Sequence, residues 1–329
     1  EKNMEKLKKI IIPILIILII CAIIFFIVSN KKTETTETIT SFDISDQVFS
    51  QESMDKTLQD TANAGYVENF NTDYTYSNDI GAKVSNVIQS DNDLRIWVDF
   101  DFSKNKLTRN SVIYDYIVYD ENNKILGYEN HENGKSSYDY LKDFCNEHGI
   151  TFDESETILS TSSAFNNIVE NENKISSLLT LSTNKGDFPK SQKIYIDIIK
   201  LTYSSSSGYK TYNDANWHFE LDLSEKTYNR TSISYKLKEN IEGLTVDKIN
   251  VTDTSTLISY TYTENGAKVE LLDANGNKFE PTSSTAIGDN TTASMFYSIN
   301  KNNLPQALYL KLTNSFGQEI GQAELEIEN

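Results

Sequence analysis

From Ile10 to Val28 the chain runs for 19 residues without a charge, and every residue except Pro13 and Cys21 is apolar. At ~1.5 Å per residue, a helix of that length nearly matches a hydrocarbon core of ~30 Å. A cleavable signal has a shorter apolar core followed by a small-residue cut site. Here the run continues through Ile23, Ile24, Phe25, Phe26, Ile27 and Val28. A lipoprotein signal places a small residue before its cysteine, whereas the residue before Cys21 is the bulky, branched Ile20. Pro13 falls near the first turn, where its missing N–H costs little. Residues 10–28 are therefore expected to form an uncut transmembrane helix. Lys2, Lys6, Lys8 and Lys9 precede it, against Lys31 and Lys32 behind it. That bias puts a short tail, 1–9, in the cytoplasm and the bulk of the chain outside the cell membrane in a single pass.

The charge of the outer part restricts its partners. Removing the first 32 residues, which hold six Lys and two Glu, leaves 24 basic against 46 acidic residues, a balance of −22. Such a surface disfavours nucleic acid and other polyanions and suits cations or cationic proteins. With Cys21 in the span and Cys145 outside it, the outer region can form no disulfide of its own, so packing must stabilise it. Low cysteine content and many Lys, Asn, Ile and Tyr residues fit an exported protein of a Gram-positive bacterium with an AT-rich genome. Residues 29–43, SNKKTETTETITSFD, have no apolar period and read as a solvated linker. Its Ser29, Thr33, Thr36 and Ser41 mark a candidate cleavage segment, because flexible linkers are favoured proteolytic sites.

Beyond the linker, Val48, Met54, Leu58 and Ala62 fall near helical spacing, with Ser45 as a possible cap and Gly65 as a stop. From Tyr66 the period changes. In LRIWVDFDF, 94–102, Leu94, Ile96, Val98 and Phe100 alternate with Arg95, Trp97, Asp99 and Asp101, the pattern of a half-buried strand. SVIYDYIVYD, 111–120, and KIYIDIIKLTY, 193–203, read as further strands, while 136–179 reads as a partly helical excursion. After SSSSGYKTYNDA, 204–215, WHFELDLS opens a second alternating series. GAKVSNVIQSDNDLRIWVDF, 81–100, also lies over GLTVDKINVTDTSTLISYTY, 243–262, without a gap. Gly81 meets Gly243, Val84 meets Val246, Val87 meets Ile249, Asp91 meets Asp253 and Ile96 meets Ile258. The expected fold is mostly β: the transmembrane helix, then two tandem Ig-like β-sandwich domains, 44–205 and 206–329, the first preceded by an amphipathic helix and carrying the helical excursion.

No catalytic constellation stands out, and no cofactor or metal is expected. Cys145 and His148 form a lone C-x-x-H, short of the ligands zinc needs. In LLDANGNKFE, 271–280, Asp273, Asn275 and Asn277 alternate as in a calcium loop. Gly276 is misplaced for an EF-hand, and the stretch reads better as an Asn-Gly type I′ hairpin turn. Trp97 and Trp217 lie in alternating strands and are expected to pack rather than to form a ligand platform.

ANAGYVENFNTDYTYSNDIGAKVSNVIQSDNDLRIWVDFDF, 62–102, resembles the extracellular module of certain membrane-bound anti-sigma factors of Gram-positive bacteria. WHFELDLSEKTYNRTSISYKLKENIEGLTVDKINVTDTSTLISYTY, 217–262, resembles the Ig-like module often found behind it. Both are modules of unknown function, and the resemblance covers most of 45–329. It implies a non-enzymatic, membrane-anchored sensor or regulatory ectodomain; the alternative is a surface or envelope-assembly protein whose sandwiches bind other proteins. In that family a cytoplasmic module before the span holds the sigma factor, whereas only nine residues precede Ile10 here, too few to enclose a partner. The resemblance therefore implies a sigma factor as partner only if such a module is missing from this chain, and otherwise an envelope protein. It assigns no functional residue.

Overall fold

The computed structural model describes residues 56–329 except 71, 105–106, 132–136, 151–164, 170–172, 183–186, 206, 229, 264–265, 288–291, 298 and 329. The expected span with Ile10, Pro13, Cys21 and Val28, and the linker with Ser29, Thr33, Thr36 and Ser41, lie outside the described residues. Among the described residues no helix is long and apolar enough to cross a membrane.

The fold is mostly β, built from antiparallel sheets in sandwich-like layers. The chain opens with helix α1 (Lys56–Asn63), then strands β1 (Glu68–Asn69), β2 (Thr75–Ser77), β3 (Ile80–Gln89), β4 (Asp93–Asp101), β5 (Leu107–Asp120) and β6 (Ile125–Glu129). Helix α2 (Ser137–His148) leads to β7 (Phe165–Val169), β8 (Lys174–Ser182), β9 (Lys193–Ser205), β10 (Gly208–Tyr212), β11 (Trp217–Asp222) and the short helix α3 (Glu225–Tyr228). The remaining strands are β12 (Ile233–Leu237), β13 (Leu244–Val251), β14 (Thr256–Tyr262), β15 (Lys268–Asp273), β16 (Lys278–Phe279), β17 (Pro281–Ile287), β18 (Thr292–Tyr297), β19 (Leu308–Thr313) and β20 (Glu319–Ile327).

Two sheets form the first sandwich. One runs β1-β3-β4-β8-β7 with β2 beside β3, and the other runs β10-β9-β5-β6 with β11 also on β9. Their facing residues make one core: Val84, Val87, Ile96, Val98, Phe100 and Leu179 meet Tyr114, Tyr116, Val118, Ile196, Ile198 and Trp217. Phe100 lies at its centre, with ring centroids 5.3 Å from Tyr114 and 6.0 Å from Trp217. Helix α2 covers the outer face of the second sheet, where Leu141, Phe144 and Cys145 pack on Ile117 and Ile125. Gly149, at φ +67°, ends this helix, and Ile150 N–H closes back on Cys145 C=O at 2.8 Å, a Schellman-type stop. Gly65 ends α1 in the same way, at φ +70° with Tyr66 N–H on Thr61 C=O, as its place in the sequence suggests.

Two expectations are corrected. The second domain was expected to begin at 206, but β10 and β11 pair with β9, so the first sandwich extends through Asp222. Trp217 N–H donates to Thr75 C=O at 3.0 Å and its ring joins the first core, which fixes β11 there. The excursion at 136–179 also ends early, since β7 and β8 form a hairpin that joins the sheet beside β4.

The other nine strands form one sheet in the order β16-β15-β19-β20-β12-β13-β14-β18-β17. It folds over itself, because its core joins Ile249, Ile258 and Tyr260 on one layer to Val269, Leu271, Leu310 and Leu325 on the other. Strand β12 makes the corner: Ile233 and Ser234 pair with β13, whereas Tyr235, Lys236 and Leu237 pair with β20. A strand that changes layers midway is a known way to turn a sandwich edge.

The sequence repeat is a structural repeat as well. The β3–β4 pairs Ala82↔Phe100, Val84↔Val98, Asn86↔Trp97 and Val87↔Ile96 match the β13–β14 pairs Leu244↔Tyr262, Val246↔Tyr260, Lys248↔Ser259 and Ile249↔Ile258, each residue lying 162 positions from its counterpart. Both hairpins carry a bulge at the same place, with Ser85 and Asp247 as the inserted residues. The bulge explains an irregularity in the pattern: Val84 and Val87 are three apart, yet both face the core. An extra residue in one strand resets the alternation of two.

Phe100→Ala should lower unfolding free energy by about 3–5 kcal/mol in urea denaturation, by loss of buried area and creation of a cavity. Phe316→Ala, at an 87% exposed position, should change it by less than about 0.5 kcal/mol.

Candidate functional site

The turns that end the two repeated hairpins are built alike and meet. In the first, Ser90 Oγ accepts from the N–H groups of Asn92 and Asp93, and Ser90 N–H donates to Asp93 C=O. In the second, Thr252 Oγ1 accepts from Thr254 and Ser255, and Thr252 N–H donates to Ser255 C=O. A hydroxyl at the turn's first position thus satisfies two backbone donors, which frees the middle side chains to reach outward.

Those side chains bind the two sandwiches together. Asn92 Nδ2 donates to the carbonyls of Asn250 and Ser255 at 3.2 and 3.3 Å, and Thr254 Oγ1 donates to Asp93 Oδ1 at 3.3 Å. Asp93 is fully buried and also takes the Arg95 Nε at 2.7 Å. Asp253 receives Arg230 Nη2 at 2.7 Å and Lys301 Nζ at 3.4 Å, while its carbonyl accepts from Thr61 of α1 at 3.0 Å. Asp91 pairs with Lys190 at 3.1 Å, and its carbonyl accepts from Lys248 Nζ at 3.2 Å. Lys248 also meets Asp187 at 3.1 Å. Burial pulls the Lys248 ammonium below its ordinary pKa, opposed by the carboxylates of Asp187, Asp91 and Asp93. All described residues belong to one compact unit, 43–329, and this joint is where its two cores are tied.

Glu68 of β1 ties down the connection between the sandwiches. Its carboxylate accepts from Ser224 N–H and Oγ and from Thr227 Oγ1, at 3.0, 2.6 and 2.8 Å. Burial by itself would raise the Glu68 pKa, but these hydrogen bonds outweigh it and hold it below the ordinary value.

Beside the joint lies an open cleft of about 780 Å³, where β12 leaves β13 for the other layer. Tyr235, Leu237, Leu244 and Val246 line it, with Asp247, Lys248, Asn250, Asp187 and Glu328 around them. A smaller hollow of about 370 Å³ lies between α2 and β9, beside Asp143, Glu147, His148 and Asp197.

The residues weighed in the sequence fall as follows. Cys145 is a buried free thiol whose pKa is raised by that burial, and His148 Nδ1 lies 3.0 Å from Phe144 C=O, one turn back on the same helix. Among the described residues no three His, Cys, Asp or Glu side chains are grouped to hold a metal. Asp273 closes its own turn, accepting from Asn275 N–H, Asn277 N–H and Asn277 Nδ2, each at 2.8 Å. The type I′ expectation is corrected. Only Gly276 of that loop has positive φ, +78°, and its N–H donates to Asp273 C=O. That is a type I turn with a glycine bulge, whereas type I′ needs positive φ at both central residues. Trp97 and Trp217 are both buried. The sequence does not by itself reveal the role of Asp91 and Asp253, although polar turns flanked by apolar strands at matched positions are a visible signal.

No protein-family model matches the sequence, and no curated protein matches it. Among solved structures, a conserved domain protein from Bacillus anthracis aligns over 75% of this chain and 77% of its own, with 12% identity and a TM-score of 0.44. Bovine butyrophilin aligns over 73% of this chain and 92% of its own, at 11% identity and a TM-score of 0.20. Likenesses at these scores carry no argument about function.

Arg230→Ala should cost about 3 kcal/mol, because it leaves the Asp253 carboxylate desolvated with one weaker partner. A double-mutant cycle with Asp253→Asn should return a coupling of about 1–3 kcal/mol. For Glu68 the sign follows from its lowered pKa: its stabilisation is complete above the ordinary value of 4.5 and is lost as pH falls through the lower folded value. The stability difference between wild type and Glu68→Gln should therefore be constant at neutral pH and shrink below about pH 4.5 in acid titration.

Proposed function

We propose that this chain is a membrane-anchored, extracytoplasmic regulatory ectodomain that works by binding protein, not by catalysis. In this reading residues 10–28 span the membrane with the N-terminus in the cytoplasm, 29–43 form an exposed linker, and the sandwiches are two related Ig-like modules. The observation that carries it is the joint: two β bodies tied by buried hydrogen bonds and ion pairs, next to a cleft along a strand edge. A rigid body of this kind suits presenting a binding surface at a fixed geometry. The uncharged run and the resemblance of 62–102 and 217–262 to anti-sigma ectodomains support the sensor role. Binding or stress would act on the linker near Ser29, Thr33, Thr36 and Ser41, and cleavage there, then in the span, would transmit the signal inward.

The acidic surface favours the second reading, a surface or envelope-assembly protein, to a similar degree, since both need a protein-binding face. Linker cleavage separates them. In intact cells, the regulatory reading expects a released fragment starting within 29–43 under envelope stress, and the assembly reading expects none. Detergent-free fractionation should leave the full chain in the membrane pellet. Recovery in the soluble fraction would overturn the anchor, and an uncut chain under every envelope stress applied would overturn the regulatory role.

A further inference from the structure

Building on the reading of the chain as a protein-binding ectodomain, we propose that the cleft between β12 and β13 accepts one extended strand of a partner polypeptide, a basic segment with alternating apolar residues. Strand β12 pairs with β13 only at Ile233↔Val251 and Ser234↔Asn250 before it crosses to β20. From Leu244 to Ile249, β13 therefore has β14 on one side and, among the described residues, no strand on the other. Neighbouring strands lie ~4.8 Å apart and packed layers ~10 Å apart, so a strand that steps across a layer opens a gap about one strand wide.

The backbone of β13 is aimed into that gap. Thr263 N–H donates to Gly243 C=O at 3.0 Å, so Gly243 and Thr245 turn their polar backbone groups toward β14. In an antiparallel ladder the intervening residues point the other way. Leu244 N–H is taken by Ile241 C=O at 3.1 Å, and the Leu244 carbonyl and both polar groups of Val246 face the cleft. An added strand would bond to these groups by β-augmentation, in line with the first residues of β12.

Size, lining and charge define the occupant. One residue of an extended strand fills roughly 160 Å³ at those spacings, so the cleft of about 780 Å³ takes about five. Tyr235, Leu237, Leu244 and Val246 give alternate side chains an apolar floor next to the second core. On the rim, Lys236 is paired with Glu326 at 3.5 Å and Lys248 with Asp187 at 3.1 Å. Asp247 and Glu328, both exposed, leave the rim acidic. The chain as a whole carries −18, so a cationic strand is drawn in and an acidic one repelled.

The test is fluorescence anisotropy with the full chain in detergent micelles and the labelled peptide Lys-Val-Thr-Val-Thr-Val-Lys as probe. Saturable binding is expected. N-methylation of alternate peptide amides should weaken it about tenfold or more by removing ladder hydrogen bonds. Asp247→Lys, an exposed change whose fold is checked by circular dichroism, should weaken it about threefold or more and flatten its salt dependence. Equal binding of the N-methylated peptide, indifference to Asp247→Lys, or no saturation up to about 1 mM would overturn the acceptor site. Self-association of the chain that Asp247→Lys abolishes would overturn it too, by making a second copy the occupant. Peptide binding by a chain that proves soluble would overturn only the membrane anchor, so the two failures are distinguishable.

Discussion

The buried contact between two polar hairpin tips is the constraint on which the rest of this structure depends. Asn92, Asp93 and Asp253 lose most of their water there and are compensated by Asn250, Ser255, Thr254, Arg95, Arg230 and Lys301. A desolvated carboxylate without partners is costly, so such a network tolerates few relative placements of its two sides. Apolar surfaces can slide over one another at little cost. A set of paired charges and directed hydrogen bonds cannot, and this distinguishes a fixed joint from two sandwiches on a string.

The joint depends on local chemistry that occurs twice. A hydroxyl at Ser90 or Thr252 satisfies the turn backbone from within, which leaves Asn92 and Thr254 free to cross to the other body. Bulges at Ser85 and Asp247 set the phase of the strands that lead to these turns. The same phase places Val84 and Val87 in the first core and Ile249 in the second. One pattern of residues therefore serves both the packing of each sandwich and the presentation of its tip.

The proposed function lies where this hydrogen-bonded order stops. Around the joint the carboxylates of Asp91, Asp93 and Asp253 are each paired with a cation, and β3 and β4 are buried along their whole length. A few residues away, β12 abandons β13 and leaves a strand edge next to apolar side chains. In the proposed reading this edge suits recognition, because backbone already extended and flanked by ion pairs has less conformational entropy to lose when a partner binds.

Strand periods, the gapless match of 81–100 to 243–262, and the stop at Gly65 were legible in the sequence, because alternation and glycine conformation are local properties. The uncharged run from Ile10 to Val28 was equally plain, and it rests on length and composition alone. The boundary near 206 is not legible, for the opposite reason. A polar stretch such as SSSSGYKTYNDA has the same composition whether it links domains or turns a hairpin, and only the pairing of β10 and β11 with β9 decides between them. Likewise Asp91 and Asp253 are ordinary turn residues by sequence. Their charged partners lie 23 to 99 residues away and Thr61 reaches the Asp253 carbonyl across 192, separations that only the tertiary structure closes.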